Sequence, residues 1–148
     1  MVDAVWANRT CESVGSRGSR VANDLAAADI YGTVETLQAH GISFMSVPDT
    51  YYEAVDTRVS GHGEDLVRLR RDRILIDGAP GAGQGLLLQI FTETVIGPIF
   101  FEIIQRKGNQ GFGEGNFRAL FESIERDQIR RGVLKPELTT ETHGAQRS

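Results

Sequence analysis

LLLQIFTETVIGPIFFEIIQRKGNQGFGEGNFRALFESIERDQIRR, residues 86–131, decides the fold. Leu86 to Thr92 and Pro98 to Gln105 are apolar runs of strand length, and IFFEIIQ is apolar enough to predict a strand covered on both faces. The glycine-rich stretch Gly108 to Gly115 reads as a mobile loop, and a helix is expected over Asn116 to Arg131. There Phe117, Leu120, Phe121 and Ile124 recur at i, i+3, i+4 and i+7, with Gly132 as the stop. That apolar stripe is expected to dock on the sheet.

Working outward, Ile74 to Asp77 is a further strand. The flexible connection Gly78 to Gly83 makes it the first arm of a hairpin with Leu86 to Thr92. Glu64 to Asp72 reads as a charged helix with a narrow face of Leu66 and Leu69. Pro48 opens a short helix reaching about Val55. Ile42 to Val47 alternates as a short strand ending at Pro48. Asp29 to His40 carries Ile30, Val34 and Leu37 at helical spacing, with Gly41 where a C-terminal cap glycine belongs. The order helix, strand, short helices, three strands, helix is α+β, with strands near enough in sequence to pair antiparallel. Residues 1–28 are expected to be poorly ordered, and residues 135–148, polar and Thr-rich, to be a disordered tail.

With 148 residues, 40% hydrophobic and 24% charged, the chain suits one ordinary domain and excludes wholesale disorder. Sixteen Lys and Arg against twenty Asp and Glu give a net charge of −4, which argues against nucleic acid as a partner. The longest apolar runs are broken by Gln89, Gly97, Pro98 and Glu102 and are too short to span a membrane. No secretory leader pattern opens the chain, so a cytoplasmic location is expected. The single cysteine, Cys11, excludes an internal disulfide and a Cys-based zinc site.

Glu102 is the only charge between Pro98 and Ile104. Either its face of the strand is wet, or it is buried and requires a metal, a cation or a proton. Gln89 is the corresponding polar residue in LLLQIF: a buried amide that bonds neighbouring backbone or orients a ligand. Phe112 and Phe117 flank the glycine loop, where they either pack on the sheet or close over a planar apolar ligand. The loop does not match GxxxxGK[ST] or a dinucleotide GxGxxG. The histidines at 40, 62 and 143 form no local ligand motif.

PDTYYE (Pro48 to Glu53), LLLQIFTET (Leu86 to Thr94), GPIFFEIIQRKG (Gly97 to Gly108) and GFGEGNFRALFESIERDQIRRGVL (Gly111 to Leu134) together resemble the C-terminal part of the 4-hydroxyphenylpyruvate dioxygenase family. The match is collinear from about Asp29 to Leu134. The resemblance implies a vicinal oxygen chelate module, βαβββ, incomplete at its N-terminal strand and followed by an amphipathic helix, as domain 29–134. It implies Fe(II) held by two His and one Glu, with Glu102 as the Glu. Gln89, Phe112, Asn116 and Phe117 would then be substrate-binding residues, with no catalytic residue beyond the metal ligand. The implied partners are 4-hydroxyphenylpyruvate and O2, and the implied reaction yields homogentisate and CO2 in tyrosine and phenylalanine catabolism; a homo-oligomer stays open.

The sequence departs from the family where a His ligand should stand, in a strand of the form GxQHxA just before Asp29. Here that stretch is Gly18-Ser19-Arg20-Val21-Ala22-Asn23-Asp24-Leu25, without histidine, so one iron ligand of three is present. The expectation is a truncated or frameshifted form that is inactive alone. The related hydroxymandelate synthase shares the substrate, and the match over the last 50 residues favours the dioxygenase. The rival reading is a metal-free binding or interaction module that retains the half-domain.

Overall fold

The computed structural model describes residues 5–7 and 21–134. Five strands form one sheet in the order β1-β2-β5-β4-β3: β1 is Val5–Ala7, β2 Val21–Ala26, β3 Leu75–Gly78, β4 Leu86–Phe91 and β5 Ile99–Lys107. Only β2 and β5 run parallel; the other neighbours are antiparallel. Helix α1 (Ile30–Ala39) follows β2. Three short helices, α2 (Asp49–Tyr52), α3 (Val55–Arg58) and α4 (Leu66–Arg71), lead to the β3–β4 hairpin, and α5 (Glu114–Arg130) comes last.

Residues paired across a sheet share a face, and the side alternates along each strand. Leu75, Gln89 and Ile104 therefore line up on one face with Phe91 and Glu102, while Ile76 and Leu88, and Ile90 and Ile103, pair on the other. The second face carries Gln105, whose side-chain oxygen accepts from the Ile30 amide at 3.2 Å and seats the start of α1 there. Ile30 and Val34 are fully buried in the core. At the end of α1 the Gly41 amide bonds Gln38 at 2.9 Å and the Ile42 amide bonds Leu37 at 3.0 Å, the crossed pair that closes a helix at a left-handed glycine.

Within residues 1–28 the structure describes β1 and β2. β2 pairs in parallel with β5 from Val21↔Ile99 to Ala26↔Ile104. Ile42 to Val47 is not a strand and contributes only the single bridge Phe44↔Thr92. The outer edge of β4 is occupied by β3 as far as Gln89, so this segment meets β4 only where β3 has ended.

β5 is covered on both faces only in part: Glu102, Ile103 and Ile104 are buried, whereas Ile99 to Phe101 are half-buried. On α5 the docked residues are Asn116, Ala119 and Ser123, and Phe117 and Phe121 stay 46% and 70% exposed. Small and polar side chains let α5 approach closely: Thr50 Oγ1 of α2 donates to the Ser123 carbonyl at 2.7 Å. The expected tail, 135–148, lies outside the described residues. Among the described residues no helix is long and apolar enough to cross a membrane.

Candidate functional site

Alternation along β4 places Gln89 and Phe91 on the face that β5 furnishes with Glu102 and Ile104. Two residues far apart in sequence, Gln89 and Glu102, are thus brought to one side of the sheet. Gln89 is fully buried and Glu102 is 9% exposed, so the wet-face reading of Glu102 does not hold. Asp24 stands directly beside Glu102 in the β2–β5 register.

Helix α5 lies over the Gln89 end of this face. Gly113, immediately before the helix, has φ +75° and sits so close to the Gln89 amide that a Cβ there would fall 1.9 Å from Oε1. One turn on, Asn116 is fully buried and its Nδ2 donates to Gln89 Oε1 at 3.1 Å. The Gly115 amide donates to Asp77 at 3.0 Å. Phe117 sets its ring 5.6 Å from Phe91, and Phe91 meets Phe100 edge-on at 6.1 Å. Phe112 is 55% exposed, so among the described residues Phe112 and Phe117 do not seal a cavity over Gln89 and Glu102.

Behind Asn116 lies a polar group that the sequence reading did not single out. Tyr51, 1% exposed, donates from its hydroxyl to Asn116 Oδ1 at 2.6 Å. The Tyr51 hydroxyl oxygen accepts from Arg58 Nη2 at 2.7 Å and from the Ile76 amide at 3.0 Å. Arg58 also donates to the Ile76 carbonyl at 2.7 Å, stands 3.6 Å from Asp77 and lies over the Tyr51 ring. Tyr51 and Arg58 together satisfy the outward amide and carbonyl of an edge strand, which would otherwise invite pairing with another chain. Burial, opposed in part by Arg58, pushes the Tyr51 hydroxyl up to about 12, so it remains a donor at neutral pH. Gln89 Nε2 is buried and has no hydrogen-bond partner among the described residues. A buried unpaired N–H costs about 1–3 kcal/mol, a deficit that an acceptor oxygen on a ligand would remove.

A signal for Phe91 was present, because it stands two residues after Gln89 on a strand and must share its face. Tyr51 and Arg58 carried no such signal, since their relation to Asn116 arises only when α2 packs on α5. Of the histidines, His62 bonds Asp56 at 2.9 Å and the Glu64 amide at 3.0 Å, and His40 contacts the Thr36 carbonyl; neither joins Glu102. Among the described residues no group of three or more His, Cys, Asp or Glu could hold a metal ion.

A βαβββ unit whose first and last strands pair in parallel, with a carboxylate and an amide facing out from the central strands, defines the class: a vicinal oxygen chelate module. No protein-family model matches the chain. It is 74% identical over 110 residues to the 4-hydroxyphenylpyruvate dioxygenase of Pseudomonas aeruginosa, a match covering 74% of this chain and 30% of that protein. To hemolysin VllY of Vibrio vulnificus it is 72% identical over 110 residues, with the same two shares. Among solved structures, a triple mutant of 4-hydroxymandelate synthase from Streptomyces coelicolor superposes with a TM-score of 0.57 at 33% identity, over 72% of this chain and 30% of that one. The matched stretch of this chain is the C-terminal part of the 4-hydroxyphenylpyruvate dioxygenase sequence, and it spans about 30% of the length of these curated relatives.

Proposed function

We propose that this chain descends from an Fe(II)-dependent dioxygenase converting 4-hydroxyphenylpyruvate to homogentisate and CO2, and that it keeps the substrate wall while lacking the means to complete the iron site. Gln89, Asn116, Phe117 and Phe112 form that wall in this reading, and Glu102 is one iron ligand of three. The observation that carries it is the β2–β5 register. The β2 residues paired with Ile99 to Ile104 of β5 are Val21, Ala22, Asn23, Asp24, Leu25 and Ala26, and none of them is a histidine. Iron, when bound in such a site, supplies a Lewis acid that chelates a 2-oxo acid and activates O2. The donors among the described residues do not fit a site of two imidazoles and one carboxylate.

The test is oxygen uptake and homogentisate formation by the purified chain with 4-hydroxyphenylpyruvate and added Fe(II). No turnover is expected. Turnover that disappears in Glu102→Ala would overturn the proposal, because it would require ligands from elsewhere in the chain. A second reading, a metal-free module that binds the aromatic 2-oxo acid, is favoured by the continuous Gln89–Asn116–Tyr51 chain of bonds, which needs no metal to form. Calorimetric titration with 4-hydroxyphenylpyruvate in the presence of a chelator separates the two.

A further inference from the structure

We infer that Arg58 and Tyr51 are positioning residues that fix which way the Gln89 amide points, so that the site presents an N–H donor and selects a ligand oxygen that can only accept. The inference rests on the reading of Gln89 as part of the substrate wall. It follows from counting protons and lone pairs along one chain of contacts.

A guanidinium can only donate. Arg58 Nη2 therefore occupies one lone pair of the Tyr51 hydroxyl, at 2.7 Å, and the Ile76 amide occupies the other, at 3.0 Å. With both lone pairs filled, the tyrosine oxygen has only its proton left to offer. The neighbouring acceptors are Asn116 Oδ1 at 2.6 Å and the Ile76 carbonyl at 3.1 Å, and the carbonyl already receives Arg58. The proton goes to Asn116. Were the Asn116 amide turned the other way, its Nδ2 would need a third lone pair on the tyrosine.

With Oδ1 held by Tyr51, Nδ2 faces Gln89 and donates to Oε1 at 3.1 Å. A turned Gln89 would put one N–H against another. Oε1 is therefore engaged, and Nε2, buried and without a partner among the described residues, is the group left for a ligand. Each link is forced by the one before it, and the first is forced by a guanidinium, which has no acceptor. A carboxylate, keto or phenolate oxygen satisfies Nε2; a donor group does not.

The test compares an acceptor-only probe with one that also donates: phenylacetate against phenylacetamide, titrated into the full chain, with thermal midpoints recorded alongside. The wild-type chain should prefer the carboxylate. Tyr51→Phe, which removes the hydroxyl without altering charge, should lower that preference on the order of tenfold, the usual worth of one buried hydrogen bond. Arg58→Met should do the same, and Arg58→Lys, which retains an obligate donor, should restore most of it. A purely structural role would weaken both probes alike, so an unchanged preference in folded Tyr51→Phe and Arg58→Met overturns the inference. The side-chain amide signals of Gln89 and Asn116 in the 15N-labelled, ligand-free chain provide an independent readout. They should shift or broaden together in Tyr51→Phe and Arg58→Met, and unchanged signals would overturn the relay. If the wild type binds neither probe, the substrate-wall reading fails while these signals still test the relay.

Discussion

Gly113→Ala should be far more damaging than an ordinary glycine replacement, and the structure separates the reasons. At φ +75° an alanine is held in the left-handed region, at a cost of about 1–2 kcal/mol. Its Cβ would also lie 1.9 Å from Gln89 Oε1 and 2.8 Å from Cδ, so a fully buried amide must move. Displacing it breaks the bond from Asn116 and leaves Oε1 unpaired, adding about 1–3 kcal/mol. The sum, about 2–5 kcal/mol, is a large part of the roughly 5–15 kcal/mol that holds a domain folded. Gly132→Ala supplies the control. It follows the same helix at φ +74° with nothing within 4 Å of a Cβ, so it should cost only the backbone part. Urea unfolding of the three proteins, extrapolated to zero denaturant, measures the difference. In the Gln89→Ala background the clash is gone, and Gly113→Ala should fall to the Gly132→Ala level, giving a coupling that a double-mutant cycle reads directly. Equal destabilisation by the two glycine variants, or no coupling to Gln89, would refute the docking of the helix start on that amide.

Other expectations follow from burial and charge. Phe121→Ala, at a side chain 70% exposed, should change stability by no more than about 0.5 kcal/mol, while Ile90→Ala, 1% exposed in the core, should cost about 2–5 kcal/mol; similar urea midpoints for the two would contradict the observed face of α5. Asp49 is held down to about 2, chiefly by the hydrogen bond from Arg70 and further by Arg73. Its contribution is therefore complete above the ordinary carboxylate value of about 4 and lost as pH falls through about 2. Asp49→Asn should flatten that acid limb in urea midpoints measured from pH 5 to pH 2, and an unchanged slope would argue against the pairing.

Much of this fold was legible because its signals are local. Helix α1 announced itself by Ile30, Val34 and Leu37 with Gly41 behind them, and the β3–β4 hairpin by two apolar runs around a glycine-rich turn. β2 was missed because VANDLA alternates poorly, and what makes it a strand is parallel pairing with β5, whose residues lie more than seventy positions further along the chain. The period of α5 correctly gave a helix but only part of its docked side: Leu120 packs against the core and Phe117 meets Phe91, whereas Phe121 is exposed. Periodicity locates an apolar stripe; it does not say that a helix will prefer to bury Asn116, Ala119 and Ser123, where close approach and hydrogen bonds to Gln89 and Thr50 decide the contact.

The candidate site divides along the same line. Gln89 and Glu102 were visible as polar interruptions in apolar strands, and the pairing of Phe91 with Glu102 puts them on one face without any further assumption. Their setting was not visible. Glu102 is buried on β5 beside β2, whose paired residues include no histidine, while Gln89 is linked through Asn116 and Tyr51 to Arg58. The two halves of the site therefore have separate requirements. In the proposed reading the Glu102 half needs metal ligands that the described residues do not supply, whereas the amide half depends on α2, α3 and α5, all of which form within the described residues. A chain that has lost the first can still hold the second, and for that reason ligand selectivity without turnover is the behaviour that most sharply tests the proposed descent.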